Sequence, residues 1–281
     1  MNSGFRSLVG RRRRLRESPS TPLVLATITV WLALLAVPAL AQQPVSDPPD
    51  QPEFLSHYDF NLSAASLASG SQQFSWDTRW DGNVDVVDYV YGRLSVLANY
   101  QAILGNEFRS FDPNQSTYTL EASSSIRDGR TELAAVFNHV SRHLGDRPKR
   151  ESISENSLGA RVLRRFGESG PTADLRTEWR KVINPAYVDY TWIGQVDVTV
   201  RRTLSARTGV YGRGFGEMYG VDQAIAGRER QQGGRAEIGL RLSGTHGAVD
   251  LFAGAERVVD ADPLDRVARH WAFAGFRLVG K

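Results

Sequence analysis

Residues 190–201 read YTWIGQVDVTVR and show the pattern on which the fold prediction rests. Tyrosine, tryptophan, glycine and three valines occupy every second position from 190 to 200. Polar side chains, Asp197 among them, occupy most of the positions between. A β-strand directs alternate side chains to opposite faces, so the stretch predicts a strand with one apolar and one polar face.

The same alternation recurs after residue 53 and predicts about twelve strands. Many of them reach the 9–11 residues that a tilted strand needs to cross a bilayer, whereas a soluble β-sandwich usually has shorter strands. The fold class is therefore predicted as all-β, an antiparallel transmembrane β-barrel, with a periplasmic β protein as the alternative. The approximate spans are 58–68, 73–81, 89–104, 116–126, 130–143, 156–167, 172–183, 187–204, 206–217, 233–243, 247–258 and 269–280.

The predicted connections support this architecture, because single-chain bacterial barrels have an even number of strands, short periplasmic turns and longer extracellular loops. Short connections are expected after even-numbered strands, as at 127–129, 167–171, 204–205 and 244–247. Longer ones are expected after odd-numbered strands, as at 105–115, 143–155, 217–232 and 259–268. Two connections depart from this rule: 81–88 is long for an inner turn, and 184–186 is short for an outer loop.

The first 41 residues have the features of a secretory signal peptide. A run of arginines precedes the apolar segment 23–37, and Ala39 and Ala41 form an Ala-x-Ala cleavage site. The alternative is that this segment is an uncleaved membrane anchor. The arginine pairs are compatible with export by the general pathway or by the twin-arginine pathway. Residues 42–54 are rich in proline, aspartate and glutamine and predict a disordered periplasmic tether, which leaves 55–281 for the barrel.

The composition of the chain excludes some classes of site and partner. The chain has no cysteine, which excludes disulfides and thiolate metal sites. The net positive charge of the chain comes from the leader, since residues 42–281 hold 28 basic and 30 acidic side chains, so no nucleic-acid partner is expected. The expected partners are outer-membrane lipid, lipopolysaccharide and the barrel-assembly machinery. Residues 270–280 resemble the closing strand that outer-membrane proteins present for assembly, although the chain does not end on an aromatic residue.

Aromatic residues cluster near the predicted strand ends, which is typical of the two interfacial girdles of a membrane barrel. The residues assigned to these girdles are Trp76, Trp80, Tyr89, Tyr91, Tyr187, Tyr190, Trp192, Trp271 and Phe273.

The polar faces of the strands assign a nearly balanced set of charges to the barrel interior. Isolated buried charges are costly, so these side chains should pair across the lumen. We therefore expect a narrow or plugged lumen and a structural or transport-related role in the envelope, with a narrow channel for a small solute as an alternative. The predicted network includes Arg79, Arg93, Glu121, Arg161, Arg176, Glu178, Arg180, Asp197, Arg201, Glu237 and Arg241.

Residues 133–146, LAAVFNHVSRHLGD, contain a candidate catalytic site. The odd-numbered face is apolar up to residue 137, and His139 and Ser141 continue it toward the extracellular end. Positions i and i+2 of a strand lie about 7 Å apart, so the imidazole can act as base for the hydroxyl. The returning strand offers Asn156, or alternatively Glu155, to orient the imidazole. The simpler alternative is that both residues are ordinary polar side chains at the membrane interface.

This His-x-Ser pair resembles that of outer-membrane phospholipase A and the lipid A 3-O-deacylase, where it also faces outward at the top of a barrel strand. The resemblance implies a lipid esterase with Ser141 as nucleophile, His139 as base and Asn156, or the glutamate before it, as orienting group. Those families continue Ser-Asn or Ser-Asn-Gly, whereas Arg142 and His143 follow here, so the resemblance does not assign the oxyanion donors. The string HVSRHLGD is also similar to the His-x-Ser-Ser-His-Leu-Gly-Asp motif of an uncharacterised barrel family, which implies no activity.

No cofactor is predicted from these residues. His139 and His143 have the spacing of a helical zinc site, but on a strand they lie about 13 Å apart and cannot share an ion. Calcium binding remains an alternative if the protein hydrolyses lipids, because Asp146 and the other acidic residues of the loop offer oxygen ligands. The basic run 147–150 in the same loop is either solvated or a contact for lipopolysaccharide phosphates.

Overall fold

The structure of the protein is a computed structural model that describes residues 46–145, 152–168, 170–222 and 227–280. Within these ranges, no helix has the length and apolarity that crossing a bilayer requires. The predicted signal peptide, the start of the tether and the basic run 147–150 lie outside the described residues. The strands are β1 (Glu53–Ala68), β2 (Trp76–Asp88), β3 (Arg93–Gly105), β4 (Asp112–Asp128), β5 (Thr131–Leu144), β6 (Ile153–Phe166), β7 (Thr172–Ala186), β8 (Tyr190–Thr203), β9 (Thr208–Val221), β10 (Gln231–Ser243), β11 (Gly247–Asp262) and β12 (Val267–Gly280).

The twelve strands close into one antiparallel barrel in which β1 pairs with β12. The closing register runs from Phe60 opposite Gly280 to Ala68 opposite Ala272. Closure leaves no unpaired strand edge, so the wall satisfies its backbone hydrogen-bonding groups internally, as a bilayer requires. The predicted antiparallel barrel of about twelve strands is confirmed.

The largest difference between a predicted and an observed inner turn occurs after β2. The long inner turn expected at 81–88 is wrong, because these residues belong to β2 and the turn comprises only residues 89–92. Asp81, Asn83 and Asp85 are buried on the lumen side of β2. Their polarity resembles that of a turn, but the interior of this barrel accepts polar side chains. The inner turns are 89–92, 129–130, 167–171, 204–207 and 244–246, and the outer connections are 69–75, 106–111, 145–152, 187–189, 222–230 and 263–266.

The chain joins the barrel earlier than the predicted tether allows. β1 begins at Glu53, inside the segment assigned to the tether. Ser46 lies at the short-turn end, where its hydroxyl accepts hydrogen bonds from Arg93 Nη1 at 2.7 Å and Arg127 Nη2 at 3.2 Å. Ser46 is therefore held against the wall by two arginine side chains.

The outer surface of the barrel is apolar around its whole circumference. Soluble proteins rarely leave a continuous apolar band of this size uncovered, and lipid would cover it. Every strand contributes at least one large exposed apolar side chain, such as Phe60, Trp80, Leu94, Leu120, Leu133, Leu158, Trp179, Val196, Val210, Ile238, Leu251 and Phe276 in order from β1 to β12.

Three aromatic residues assigned to the girdles lie inside the barrel instead. Tyr190, Trp271 and Phe273 are buried. The register between β8 and β9 shifts directly after Tyr190, which brings its side chain to the same interior cluster as Ile193. Trp271 and Phe273 join an apolar cluster in which Trp271 stacks on Phe74, with ring centroids 5.4 Å apart. Part of the interior is thus apolar, in addition to the ion pairs that the sequence predicts.

Ion pairs occupy the middle of the lumen. Arg161 contacts both Glu121 and Glu178, each at 2.5 Å. Arg176 and Arg180 also contact Glu178, each at 2.7 Å. One glutamate from β7 therefore holds three guanidinium groups from β6 and β7, and this arrangement compensates the desolvation of each charge.

The other residues of the predicted network also form ion pairs. Most of them are buried, but Arg201 is exposed at the short-turn rim and Arg241 is half-buried. The pairs are Arg79–Asp77 at 2.6 Å, Arg93–Asp85 at 2.7 Å, Asp197–Arg213 at 2.9 Å, Arg201–Asp174 at 2.5 Å, Glu237–Arg235 at 2.9 Å and Arg241–Asp250 at 2.7 Å.

Two cavities occupy part of the interior that the described residues enclose. The larger, of about 750 Å³, lies at the short-turn end, where Ser46, Arg130 and Glu168 line it. The smaller, of about 100 Å³, lies nearer the outer connections and is lined by Arg142 and Tyr219. The interior therefore holds pockets of limited size within a lumen filled by ion pairs and apolar side chains.

Candidate active site

Strand β5 carries the candidate catalytic pair on its outward face. Ala134, Val136 and Asn138 are buried in the lumen, whereas Leu133 and Phe137 are exposed on the opposite side. His139 and Ser141 continue the outward side and are half-buried. The structure therefore places both side chains on the lipid-facing wall, near the outer end of the strand.

The imidazole of His139 is held by the neighbouring strand. His139 on β5 lies directly opposite Asn156 on β6. Its Nδ1 lies 2.7 Å from Oδ1 of Asn156. An amide oxygen only accepts hydrogen bonds, so Nδ1 carries the proton and donates it. In the neutral ring Nε2 is then the unprotonated nitrogen, which is the form that a general base requires.

Ser141 occupies the next outward position above this pair. Its register partners are Tyr118 on β4 and Ser154 on β6. Among the described residues, the structure shows no hydrogen bond to the Ser141 hydroxyl. The structure thus joins His139 to Asn156 and places Ser141 on the same face, without a direct bond between the hydroxyl and the imidazole.

Glu155, the alternative orienting group, is excluded by its position. Its side chain is buried on the lumen side of β6, whereas His139 faces outward. Arg142 also points inward, since its Nη1 donates to the backbone oxygen of Asp260 at 3.0 Å. Both orientations follow from the two-residue period of a strand. Glu155 is the neighbour of Asn156 and Arg142 is the neighbour of Ser141, so their side chains lie on the opposite face.

A groove of about 1060 Å³ lies on the outer wall beside Ser141. One side is a row of register partners, Trp80, Tyr100, Tyr118 and Ser141 on β2 to β5. The Tyr100 and Tyr118 rings lie 4.9 Å apart. The row below it has small side chains on β2 and β3 and ends at His139, and its members are Gly82, Ala98, Leu120 and His139.

Sequence reasoning missed this groove. Its two rows join residues on four strands, from Trp80 on β2 to Ser141 on β5, which lie far apart in the chain. Counting register partners outward from Ser141 identifies the aromatic row, but the count requires the exact pairing of each strand. The alternation of side chains does not contain that information.

Ion pairs link the outer connections that follow β7, β9 and β11. Arg228, in the connection after β9, donates to both Asp189 and Asp260, and Arg266 reaches Asp189 at 3.1 Å. Hydrogen bonds from Arg228 to Asp189 raise the pKa of this guanidinium above its ordinary value. Burial acts to raise the pKa of Asp189, but the bonds from Arg228 outweigh it and hold the pKa below its ordinary value. Arg228 and Asp189 therefore stay ionised at neutral pH.

His139 and His143 both lie on β5, so the strand geometry that separates them is confirmed. Among the residues that the structure describes, no cluster of three or more histidine or acidic side chains is arranged to hold a metal ion. Asp146 and Glu151, the loop acids considered for calcium, lie outside the described ranges.

No family model matches the chain, and no curated protein matches it. Several solved structures are similar to it. Outer membrane phospholipase A from Escherichia coli aligns with a TM-score of 0.50 and 11% identity, over 80% of this chain and 92% of that one. The chain has the fold of an outer-membrane β-barrel.

Two further solved structures are similar to the chain. The Salmonella typhi outer membrane phospholipase dimer with bound calcium aligns with a TM-score of 0.50 and 11% identity, over 84% of this barrel chain and 95% of that one. The KdgM porin aligns with a TM-score of 0.42 and 8% identity, over 78% and 97%. At these identities the likeness shows the barrel architecture alone.

Proposed function

We propose that this protein is a serine-dependent lipid esterase of the bacterial outer membrane. The observation that carries the proposal is the hydrogen bond between His139 Nδ1 and Asn156 Oδ1 on the outward face, with Ser141 next to it on the same strand. A structural side chain at the interface has no need of a fixed tautomer. A general base needs the tautomer in which Nε2 is unprotonated, and the hydrogen bond to Asn156 selects that tautomer.

The residues support a two-step acyl transfer. Ser141 Oγ attacks the ester carbonyl carbon while its proton moves to His139 Nε2, and the carbonyl electron pair moves to oxygen. The tetrahedral intermediate collapses, and the leaving alcohol takes the proton from His139. Water then repeats the sequence on the acyl-serine and releases the fatty acid. Asn156 holds the imidazole in its orientation through both steps.

The groove supports a lipid as substrate. It is open to the apolar exterior and meets Ser141 at one end. An acyl chain lying over Gly82 and Ala98, beneath the aromatic row, would present its ester to the hydroxyl. We propose a phospholipid or the ester-linked chains of lipopolysaccharide as substrate class, since both occur at this depth of an outer membrane.

The location in the envelope is part of the proposal. We infer export by a signal peptide that is removed after Ala41 and insertion by the barrel-assembly machinery. The described residues near Ser141 provide no acidic cluster for calcium. The loop acids Asp146 and Glu151 lie outside the described residues, so the assay is run both with and without calcium.

The test is hydrolysis by the refolded full-length barrel in mixed micelles. Fatty acid should be released from phospholipid or lipopolysaccharide, and Ser141→Ala should reduce the release to the rate of buffer alone. Ser154→Ala, which changes the register partner of Ser141 on the same face, is the matched control and should remain active. The absence of release from every lipid, with and without calcium, would refute the esterase and leave the structural or transport-related role.

A narrow channel is the second candidate, favoured by the cavity of about 750 Å³ that lies at the short-turn end. The ion pairs around Glu178 and the apolar cluster around Phe74 support a closed lumen instead. We therefore expect no steady conductance when the barrel is inserted into planar bilayers. Regular single-channel steps under the same conditions would contradict a closed lumen and support solute passage.

A further inference from the structure

An ester-cleaving serine needs hydrogen-bond donors for the oxyanion that develops on the carbonyl oxygen. Many hydrolases use backbone N–H groups for this purpose. Here Ser141 lies in the barrel wall, paired in register with Tyr118 on one side and Ser154 on the other. The backbone groups of a strand with two neighbours are used by the sheet. The donors among the described residues must therefore be side chains.

The position of the base determines where such a donor can lie. The leaving oxygen must face His139, because it receives the proton from that ring. The carbonyl oxygen then points away from His139, toward the outer end of β5. The next side chain on the outward face in that direction is His143, two residues beyond Ser141. Arg142, between them, is turned into the lumen by its bond to Asp260.

His143 is exposed, but its ring does not lack contacts. It lies edge-to-face with Tyr118, with ring centroids 5.2 Å apart and planes at 87°. Tyr118 is the β4 residue directly opposite Ser141, and its ring also contacts Tyr100. The aromatic row of the groove therefore restricts the imidazole beside the nucleophile.

We propose that His143 is a catalytic residue that donates an imidazole N–H to the oxyanion, with Tyr118 as the residue that positions it. The inference rests on the proposed esterase function. In the attack step, the bond from Ser141 Oγ to carbon forms as the carbonyl π pair moves to oxygen. His143 stabilises that negative charge without transferring a proton, while His139 takes the proton from the serine. Two histidines flanking one serine thus have different roles.

The experiment compares His143→Ala with His143→Gln, which keeps an N–H donor, in the refolded barrel. Loss of a single oxyanion donor should reduce kcat by about 10²–10³-fold and leave KM nearly unchanged. The glutamine variant should recover part of this loss. Tyr118→Ala removes the ring that positions His143 and should also lower kcat. His270→Ala removes another exposed histidine, near the outer end of β12, and serves as the matched control.

The outcomes separate this inference from the function on which it rests. If Ser141→Ala abolishes hydrolysis but His143→Ala keeps kcat within about threefold of the parent, His143 is not the oxyanion donor and the esterase stands. If His143→Ala raises KM alone, the residue binds substrate and the inference is wrong. If Ser141→Ala itself remains active, both proposals fail.

Discussion

Replacing His139 with alanine should lower kcat for lipid ester hydrolysis by about 10⁶-fold, the loss seen when the base of a serine triad is removed. Asn156→Ala should cost less, about 10⁴-fold, because the base remains but loses the partner that fixes its tautomer. Steady-state hydrolysis of a chromogenic ester in detergent micelles gives both values. The order of the two effects follows from the bond between His139 Nδ1 and Asn156 Oδ1.

The double variant His139→Ala/Ser141→Ala provides the sharper test. Groups that act as one unit are not additive, so the double variant should be no slower than either single variant. Glu155→Gln is the matched control for Asn156, since it changes the preceding residue but faces the lumen. Equal losses in Glu155→Gln and Asn156→Ala, with both barrels folded, would show that the loss comes from distortion of β6 and not from the triad.

Glu178→Ala should destabilise the barrel by about 3–5 kcal/mol. The substitution leaves Arg161, Arg176 and Arg180 without the carboxylate that all three contact, in a place where the Glu178 side chain is 1% exposed. An unpaired buried charge costs more than the pair contributes. Urea unfolding in lipid vesicles, followed by tryptophan fluorescence, measures the change.

Glu168→Ala is the control for this prediction. Glu168 pairs with Arg130 at the rim, where its side chain is 73% exposed, so the variant should change stability by less than about 1 kcal/mol. Equal losses from the two variants would mean that water reaches the middle of the lumen freely. That result would also weaken the expectation of a closed barrel.

The architecture was largely predictable because side-chain alternation is a local property. All twelve strands were located, and the lumen charges were assigned to the correct face. The errors occurred at residues whose side-chain chemistry is compatible with two different positions in the barrel. Asp81, Asn83 and Asp85 resemble a turn but line the lumen. Tyr190 resembles an interfacial aromatic residue, but the register shift after it accompanies an inward side chain.

The candidate site was predictable in part, for the same reason. Parity put His139 and Ser141 on one outward face, and a count along the returning strand reached Asn156. The parity of that strand favoured Asn156, and Glu155 was kept as the alternative. The structure places them on opposite faces, because only Asn156 lies opposite His139 with its side chain outward. The position of His143 against Tyr118 was not predictable, because it depends on pairing between β4 and β5.

The sequence by itself determined that this chain forms a barrel wall with an apolar outside and a charged inside, because apolar and polar side chains alternate along each strand. Only the tertiary structure decided which residues meet across strands. A shift of one residue in register reverses every face, and bulges and closure set that register. For this reason the His-x-Ser pair is visible in the sequence, whereas the asparagine bond, the groove and the second histidine beside the nucleophile required the folded barrel.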